Sequence, residues 1–354
     1  MAMQFWSFCV LTLTIGLVDG LKIRIVTWNV ENNYWAPNKE GYTDASIDQV
    51  LGLNGNERFP MYAVGLQENC WKCSQGKLEL IGEKFVARLN VKTNVKYKVV
   101  GVHGVRQKKI CGMLCTLGNG KYHGNTIVML LAKRSSTVLP KILFRHHKGC
   151  SSQSSEDAKG ITVLKVRIVI GNTIKTLCIG SGHLDSQKSS YRRKCLKEFF
   201  EHANSEISWT NTCDAQFLFG DFNTRTGPKD DSKPKDGKPV PKNTDFTSLK
   251  QKDELTGITP FGNDNSNLLT YINSVQTKTF KEAPVTFMPT YSLISPKKYC
   301  KTPPLQANEY CYRTNRPESW TDRIIFTSGT CTKYDAVLTQ SYGDHFPVFA
   351  DFTM

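Results

Sequence analysis

Asp221 and Asn223 directly follow a short apolar run, residues 217–220, and their side chains suit hydrolytic chemistry. Residues two apart on a strand share a face, so the carboxylate and the amide are expected side by side, with Phe222 on the opposite face. Such a pair can activate a water molecule or hold a phosphate oxygen. The same residue types also commonly end strands. This stretch alone therefore leaves a catalytic pair and an ordinary turn both open.

Other polar residues follow or adjoin further apolar segments in the same way. These residues are Asn29, Glu68, His183, Asp322, Asp344 and His345. If the strands pack as sheets, their ends bring these side chains to one rim. Oxygen ligands suit a hard cation such as Mg²⁺, and a histidine near a carboxylate suits proton transfer or charge stabilisation on a phosphate. Any one of them could be a satisfied loop residue, but their recurrence at successive strand ends favours a shared site.

The elements that position these residues are mostly strands with β-branched and alternating patterns. The predicted strands are Lys22–Thr27, Tyr62–Leu66, Tyr97–Val102, Thr126–Ala132, Ile161–Ile170, Thr173–Ile179, Phe217–Gly220, Arg323–Thr327 and Pro347–Phe352. From Ser189 the apolar residues change to helical spacing and continue to Ile207. No linker separates two composition regimes, so the pattern predicts one α/β domain built as a two-sheet sandwich.

Two polar segments interrupt this pattern. Residues 227–244 are rich in Lys, Pro, Asp and Gly, and the sequence predicts a mobile, solvated loop there. Lying against an anionic lipid face is the alternative for this loop. Cys300 to Pro317 is expected to be a polar loop closed by two cysteines.

The first twenty residues predict a secretory signal peptide, with a mature domain spanning residues 21–354. Phe5 to Val18 is an almost unbroken apolar run of about fourteen residues, shorter than the roughly 20 needed to span a bilayer. An N-terminal anchor helix is the alternative. The formal net charge of +15 favours anionic partners, namely nucleic acid, anionic lipid or polyphosphate, without choosing among them.

The cysteine count fits an exported protein. Of the twelve cysteines, Cys9 lies in the predicted leader, and the odd number that is left implies at least one free or intermolecular thiol. The Cys70/Cys73 and Cys111/Cys115 spacings could suit zinc, but disulfides are favoured in an oxidising compartment. Cys178, inside an apolar strand, is predicted to be the buried free thiol.

Six segments resemble, in order, the motifs of the endonuclease/exonuclease/phosphatase superfamily. They are Trp28-Asn29-Val30, Leu66-Gln67-Glu68, Gly182-His183-Leu184, Gly220-Asp221-Phe222-Asn223, Trp320-Thr321-Asp322-Arg323 and Gly343-Asp344-His345-Phe346-Pro347-Val348. The resemblance is nearest to the inositol polyphosphate 5-phosphatases. Five segments carry that choice. They are residues 286–291, which end in Pro-Thr-Tyr, the segment from Arg316 to Arg323, Asn223-Thr224-Arg225, Lys159-Gly160 and Tyr191-Arg192-Arg193.

The resemblance implies the fold, an α/β four-layer sandwich of two mixed β-sheets flanked by helices, and a set of roles. The ligands of Mg²⁺ would be Asn29, Glu68 and Asp344. The catalytic residues would be His183, Asp221, Asn223, Asp322 and His345. The substrate would be bound by Lys159, Arg225, Tyr291 and Arg316. The implied activity is that of a secreted, Mg²⁺-dependent phosphatase. Its substrate would be a phosphoinositide or a soluble inositol polyphosphate, with the 5-phosphate removed.

Two departures from the family pattern bear on the substrate. Gln187 stands where relatives have a second histidine, and Ser292 stands where a lysine usually follows Pro-Thr-Tyr. Peripheral contact with an anionic membrane is left open, and a stable nucleic-acid partner is not expected. A secreted nuclease or sphingomyelinase-like phosphodiesterase on the same fold is one alternative function. A haem or ligand carrier is another, since some secreted relatives carry haem through a cysteine.

Overall fold

A computed structural model of the protein shows two six-stranded β-sheets that organise the described part of the chain. The structure describes residues 20–31, 43–69, 75–104, 126–134, 140–150, 159–170, 172–234, 236–261, 266–294, 300, 309–338 and 343–354. The predicted signal peptide therefore lies almost wholly outside the described residues, as do Cys70, Cys73, Cys111 and Cys115.

The first sheet contains six of the described strands in the order β13-β14-β1-β2-β4-β3. Their bounds are β1 Lys22–Asn29, β2 Met61–Gln67, β3 Tyr97–Gly104, β4 Ile127–Lys133, β13 Thr330–Ala336 and β14 Val348–Thr353. β1 and β2 run parallel, and the other pairings are antiparallel. The mixed sheet thus places the last residues of β1 and β2 at the same edge.

The second sheet has the order β10-β12-β8-β7-β6-β5. Its strands are β5 Lys141–Gly149, β6 Gly160–Ile170, β7 Thr173–His183, β8 Ala215–Asp221, β10 Lys281–Glu282 and β12 Asp322–Phe326. β7 and β8 run parallel, while β12 pairs antiparallel with β8. The start of β12 therefore meets the ends of β7 and β8.

Helices cover the outer face of each sheet. They are α1 Asp44–Val50, α2 Gln75–Thr93, α3 Ser189–Ile207, α4 Trp209–Thr212, α5 Thr247–Gln251 and α6 Leu268–Ser274. The inner core joins both sheets, for example Ile25 and Phe219. A second apolar cluster lies between the first sheet and α1 and α2, and a third between the second sheet and α3, α4 and α6. The predicted four-layer sandwich is confirmed.

Most strand predictions are confirmed to within a few residues, as is α3. Every residue of β8 is buried, because both faces of its sheet are covered, and its continuous apolar run reflects this. The sequence reading missed α2, whose apolar residues are diluted by charged ones, and also the mostly exposed strands β5 and β13. None of the described helices is long and apolar enough to cross a membrane.

The segment 227–244 is not the unstructured loop that its composition predicts. It contains β9, Gly237–Pro241, which pairs antiparallel with β11, Glu309–Arg313. Because β11 lies in the other predicted loop, neither segment shows a partner in its local sequence. The expected closure of that second loop is confirmed, since Cys300 is bonded to Cys311.

The prediction that Cys178 is a free thiol is wrong. Cys178 on β7 is bonded to Cys213, which stands just before the parallel neighbour β8, with Cα atoms 5.7 Å apart. The pairing depends on β7 and β8 being neighbours in the sheet, and the apolar pattern of a single strand does not indicate its neighbour. A further disulfide joins Cys150 to Cys195. Among the described cysteines the free one is Cys331, on β13.

Candidate functional site

The strand register brings the polar residues of both sheets to one rim. His183, Asp221 and Asp322 are direct neighbours across β7, β8 and β12. Asn29 ends β1 in the other sheet, and its Nδ2 donates a hydrogen bond to Asp221 Oδ2 at 3.0 Å. This bond joins the two sheets at the site. The rim therefore forms where parallel strands end in both sheets, as the sequence predicts.

Asp221 is the centre of the contact network, and its side chain is almost fully buried. Its Oδ1 accepts a bond from the backbone N–H of Asn223 at 2.9 Å. Its Oδ2 accepts from Asn29 and from Asn223 Nδ2, at 3.2 Å for the latter. Asn223 Nδ2 also donates to the carbonyl oxygen of Leu184. The carboxylate is thereby fixed in one orientation.

Unusual backbone geometry surrounds this carboxylate. Glu31, Glu68 and Asn223 have positive φ values of 48°, 53° and 52°, which side chains other than glycine adopt rarely. Gly220 has a φ of 146°, and a Cβ there would lie 1.9 Å from the carbonyl oxygen of Gly182. Only glycine fits directly before Asp221, so close contact between β7 and β8 depends on it. Such outliers concentrate at functional sites.

His183 and Lys159 form a buried pair beside Asp221. Lys159 Nζ lies 2.5 Å from His183 Nε2, and the lysine is 4% exposed. His183 Nε2 is also 3.3 Å from Asp221 Oδ2 and 3.7 Å from Glu68 Oε1. Burial, together with the positive charge of Lys159, lowers the pKa of His183. His183 is therefore a neutral imidazole next to a buried cation.

His345 has the opposite charge state. Its Nδ1 lies 2.8 Å from Asp322 Oδ2, which also accepts bonds from Thr290 Oγ1 and Thr321 Oγ1. Burial would lower the pKa of His345, but the carboxylates of Asp322, Asp221 and Asp344 outweigh it and raise this pKa to about 10. His345 is therefore an imidazolium held in place by Asp322.

Hydrogen-bonding neighbours and positive charges together determine the state of Asp221. Burial would raise the pKa of Asp221, but His345, together with His183 and Lys159, holds that pKa well below its usual range. A buried carboxylate with this low proton affinity is a weak base. It can orient a water molecule more readily than it can deprotonate one.

Carboxylates gather on the remaining side of the rim. Asn29 Nδ2 lies 3.5 Å from Glu68 Oε1, and Asp344 Oδ1 lies 3.5 Å from His345 Nε2. Burial, reinforced by the charge of Asp344, raises the pKa of Glu31 to about 7. Burial also raises the pKa of Asp344, with Glu68 contributing in the same direction. Oxygen donors whose negative charges destabilise one another fit a divalent cation, which would relieve that repulsion.

A second donor set lies next to this one. Ligand atoms of Asp221, Asp322 and His345 lie within 4.8 Å of one another. Two of its three members are carboxylates, while His345 carries a proton and would have to lose it to bind a metal. The oxygen donors around Glu68 are therefore the better candidates for a hard cation.

A basic pocket opens next to the centre, with a cavity volume of about 430 Å³. Arg225, Lys229, Arg316 and Gln187 are among the residues that line it. Both guanidinium groups pack on the ring of Tyr291, at 4.3 Å for Arg225 and 5.5 Å for Arg316. Arg225 Nη2 also donates to Asn223 Oδ1 at 2.6 Å, which links the pocket to the centre. We call this cavity the basic pocket.

All twelve residues selected from the sequence lie in one contact network. Tyr291 completes it, since its ring centroid is 4.7 Å from that of His345. The structure adds Glu31, Thr290, Thr321 and Lys229, which sequence reasoning missed. Glu31 adjoins a recognised motif, and Thr290 and Thr321 lie within two others, so position offered a signal. Lys229 had none, because the loop that carries it gave no structural pattern.

Comparison with known proteins identifies the family of this chain. The family model described as endonuclease/exonuclease/phosphatase family 2 matches residues 26–351. A search of curated proteins gave no match.

Two solved structures share the fold. One is the inositol polyphosphate 5-phosphatase domain of SPsynaptojanin, in complex with inositol (1,4)-bisphosphate and a calcium ion. It is 17% identical to this chain, and the alignment covers 94% of this chain and 84% of that one, with a TM-score of 0.57. The nitrophorin of Cimex, in a ferrous NO complex, is 15% identical over 95% of this chain and 99% of that one, with a TM-score of 0.54. Since the family model spans nearly the whole described domain, the chain belongs to endonuclease/exonuclease/phosphatase family 2.

Proposed function

We propose that this protein is a secreted, Mg²⁺-dependent phosphatase that removes a phosphate, the 5-phosphate by family resemblance, from an inositol polyphosphate or a phosphoinositide. The observation that carries the proposal is the basic pocket, which the hydrogen bond from Arg225 to Asn223 joins to the centre around Asp221. A hydrolytic centre that adjoins three cationic side chains fits a substrate with several phosphates. The disulfides support an oxidising compartment and hence export.

The attacking water is oriented by Asp221. This carboxylate is fixed by Asn29 and Asn223, so an oxygen lone pair is held toward the rim without reorganisation at the moment of reaction. Its low pKa keeps it ionised at neutral pH. Asn223, through its contact with Arg225, aligns the scissile phosphate with the pocket.

Two histidines stabilise the phosphoryl group as charge develops on it. His345 has Nδ1 occupied by Asp322, which leaves Nε2–H to donate to a phosphate oxygen. His183 brings the buried charge of Lys159 to the same place. Charged donors in a water-poor site are worth more than in bulk solvent.

Glu68, Asn29 and Asp344 would hold Mg²⁺, with Glu31 next to them. When bound, this cation would supply neutralising charge to the phosphate oxygens. The residues around it have the remaining tasks, which are to orient water, to grip the phosphoryl group and to exclude solvent.

Substrate choice would be made in the basic pocket. Ser292, at the position where relatives have lysine, is 1% exposed and is absent from the pocket lining. Lys229 supplies positive charge there instead, from a different segment of the chain. The soluble inositol polyphosphate and the lipid share this phosphorylated ring, and membrane contact by the basic surface would favour the lipid.

The first experiment measures inorganic phosphate released from inositol 1,4,5-trisphosphate and from phosphatidylinositol 4,5-bisphosphate, with Mg²⁺ and with EDTA. We expect release from at least one substrate with Mg²⁺ and its loss by at least about 10²-fold with EDTA, because neutralising charge contributes several kcal/mol. Restoring Mg²⁺ is the control for irreversible damage. Release that is indifferent to EDTA would rule out the metal-dependent mechanism.

Arg316 offers a test of the pocket. Replacing Arg316 by Met should raise the KM for a polyphosphorylated inositol by about tenfold to a hundredfold, as expected for a lost charged hydrogen bond, with kcat little changed. The KM for a simple aryl phosphate should not change, since it has no second phosphate. Arg167→Met, on the exposed face of β6, is the matched control. An equal loss with both substrates would argue against a ring-phosphate role.

The alternatives predict different results. A nuclease or phosphodiesterase would nick plasmid DNA or cleave sphingomyelin and release no phosphate from inositol substrates. A haem carrier would show a Soret absorption band after purification. Among the described cysteines the free thiol is that of Cys331, which lies opposite Phe352 in the first sheet, at the end remote from His345. Burial raises the pKa of this thiol to about 11, which disfavours a thiolate ligand.

A further inference from the structure

Four of the seven histidines lie around the edge strand β5, away from the rim. His146 and His147 are consecutive on β5, so they point to opposite faces. His147 Nδ1 lies 3.4 Å from His103 Nε2 on β3. The ring centroid of His146 lies 4.7 Å from that of His202 on α3. Two histidine pairs thus lie on the two sides of one strand.

His146 is the member of this group that is short of a partner. It is 8% exposed, and its Nε2 has no hydrogen-bond partner among the residues that the structure describes. Burial and the neighbouring His202 lower its pKa to about 4, so the ring is neutral at physiological pH. A buried neutral imidazole nitrogen with a free lone pair is a ready metal ligand.

The helix opposite supplies further donors. Glu198, His202 and Glu206 follow one another at intervals of four residues, which places them along one face of α3. A shallow surface depression of about 330 Å³ is lined by Lys148, Glu198, Glu201, His202 and Ser205. Glu206 follows His202 by one turn on this face of α3, and its negative charge acts on His146. The surroundings of the pair are therefore rich in carboxylates.

The ring separation also fits a shared ion. Two imidazoles bound to one tetrahedral Zn²⁺, each at about 2.0–2.1 Å, have ring centroids about 5 Å apart. We propose that His146 and His202 bind a divalent transition-metal ion such as Zn²⁺, with Glu206 as a third ligand. Glu206 is exposed at the end of α3, so its side chain can rotate onto the ion, and water completes the shell.

The position of this site suggests what it does. The disulfide Cys150–Cys195 already joins the end of β5 to α3. Cys195 and His202 are two helical turns apart on one face of α3, and Cys150 and His146 are four residues apart along the other segment. The metal would be a second cross-link between the same two segments. It would fasten an edge strand that pairs with a neighbour on one side in its sheet.

The test is a Zn²⁺ titration of the EDTA-treated full protein, followed by calorimetry in excess Mg²⁺ to occupy the catalytic rim. Wild type should bind about one equivalent more than His202→Gln. The control His147→Gln, on the opposite face of β5, should bind as wild type does. Equal binding by wild type and His202→Gln would overturn the proposal. Loss in His147→Gln alone would also overturn it, because the ion would then lie at His103.

Two further measurements separate metal binding from misfolding. Glu206→Gln leaves the buried pair intact and should weaken Zn²⁺ binding by at least about tenfold. Zn²⁺ should raise the Tm of wild type and His147→Gln, since a ligand of the native state stabilises it, but not that of His202→Gln. Mg²⁺-dependent phosphate release should be the same in wild type, His147→Gln and His202→Gln. A Tm that rises equally in His202→Gln would contradict the assignment.

Discussion

Replacing Asp221 by Asn is expected to lower kcat for phosphate release by at least about 10²-fold while leaving the fold intact. Asn has the shape of Asp, but its amide removes the charge that orients the water. It also places a donor where Asn29 Nδ2 or the Asn223 N–H already donates. The new amide and one of these donors would then face each other at a position that is 1% exposed. The change should appear in single-turnover rates rather than in KM alone.

Asp44→Asn is a suitable control for this variant. Asp44 lies at the start of α1, with its carboxylate bonded to the exposed side of Arg88. It carries the same chemical change far from the rim, and its rate should stay within about twofold of wild type. Thermal unfolding should show both variants folded. A folded Asp221→Asn enzyme with normal kcat would eliminate the proposed role of this carboxylate.

Replacing His345 by Asn should also lower kcat by at least about 10²-fold, and Asp322 should act through it. Asp322 holds Nδ1 of His345 at 2.8 Å and is the carboxylate that does most to raise its pKa to about 10. Because the two form one unit, the double variant His345→Asn/Asp322→Asn should be scarcely slower than His345→Asn alone. Fully additive losses would show that the two residues act independently.

The pH profile gives a second readout for Asp322. His345 must be protonated to donate from Nε2, so activity is retained below its raised pKa and lost as the pH rises through it. Asp322→Asn removes the main cause of the raised pKa. The alkaline limb of log kcat against pH should therefore move to lower pH in this variant. An unchanged limb would mean that another group sets it.

The fold and the identity of the rim residues could be predicted from the sequence because both depend on local signals. Strands with covered faces show as apolar runs, and residues such as Asp221 and His183 stand where those runs end. The same logic failed for Cys178, whose partner Cys213 lies across a strand pair. It also failed for β9 and β11, whose pairing joins two segments that are far apart in the chain.

The order of residues specifies which side chains are available at the rim, because residue type and strand-end position are local properties. The charge states of those side chains depend on folding. His183 and His345 follow apolar strands or adjoin them in much the same way, yet burial and Lys159 make one neutral, while Asp322 keeps the other charged. Lys159 reaches His183 through the pairing of β6 with β7, whereas Asp322 meets His345 across the two sheets, because β12 and β14 belong to different sheets. Electrostatic roles depend on distances of a few ångströms, which the order of residues does not contain.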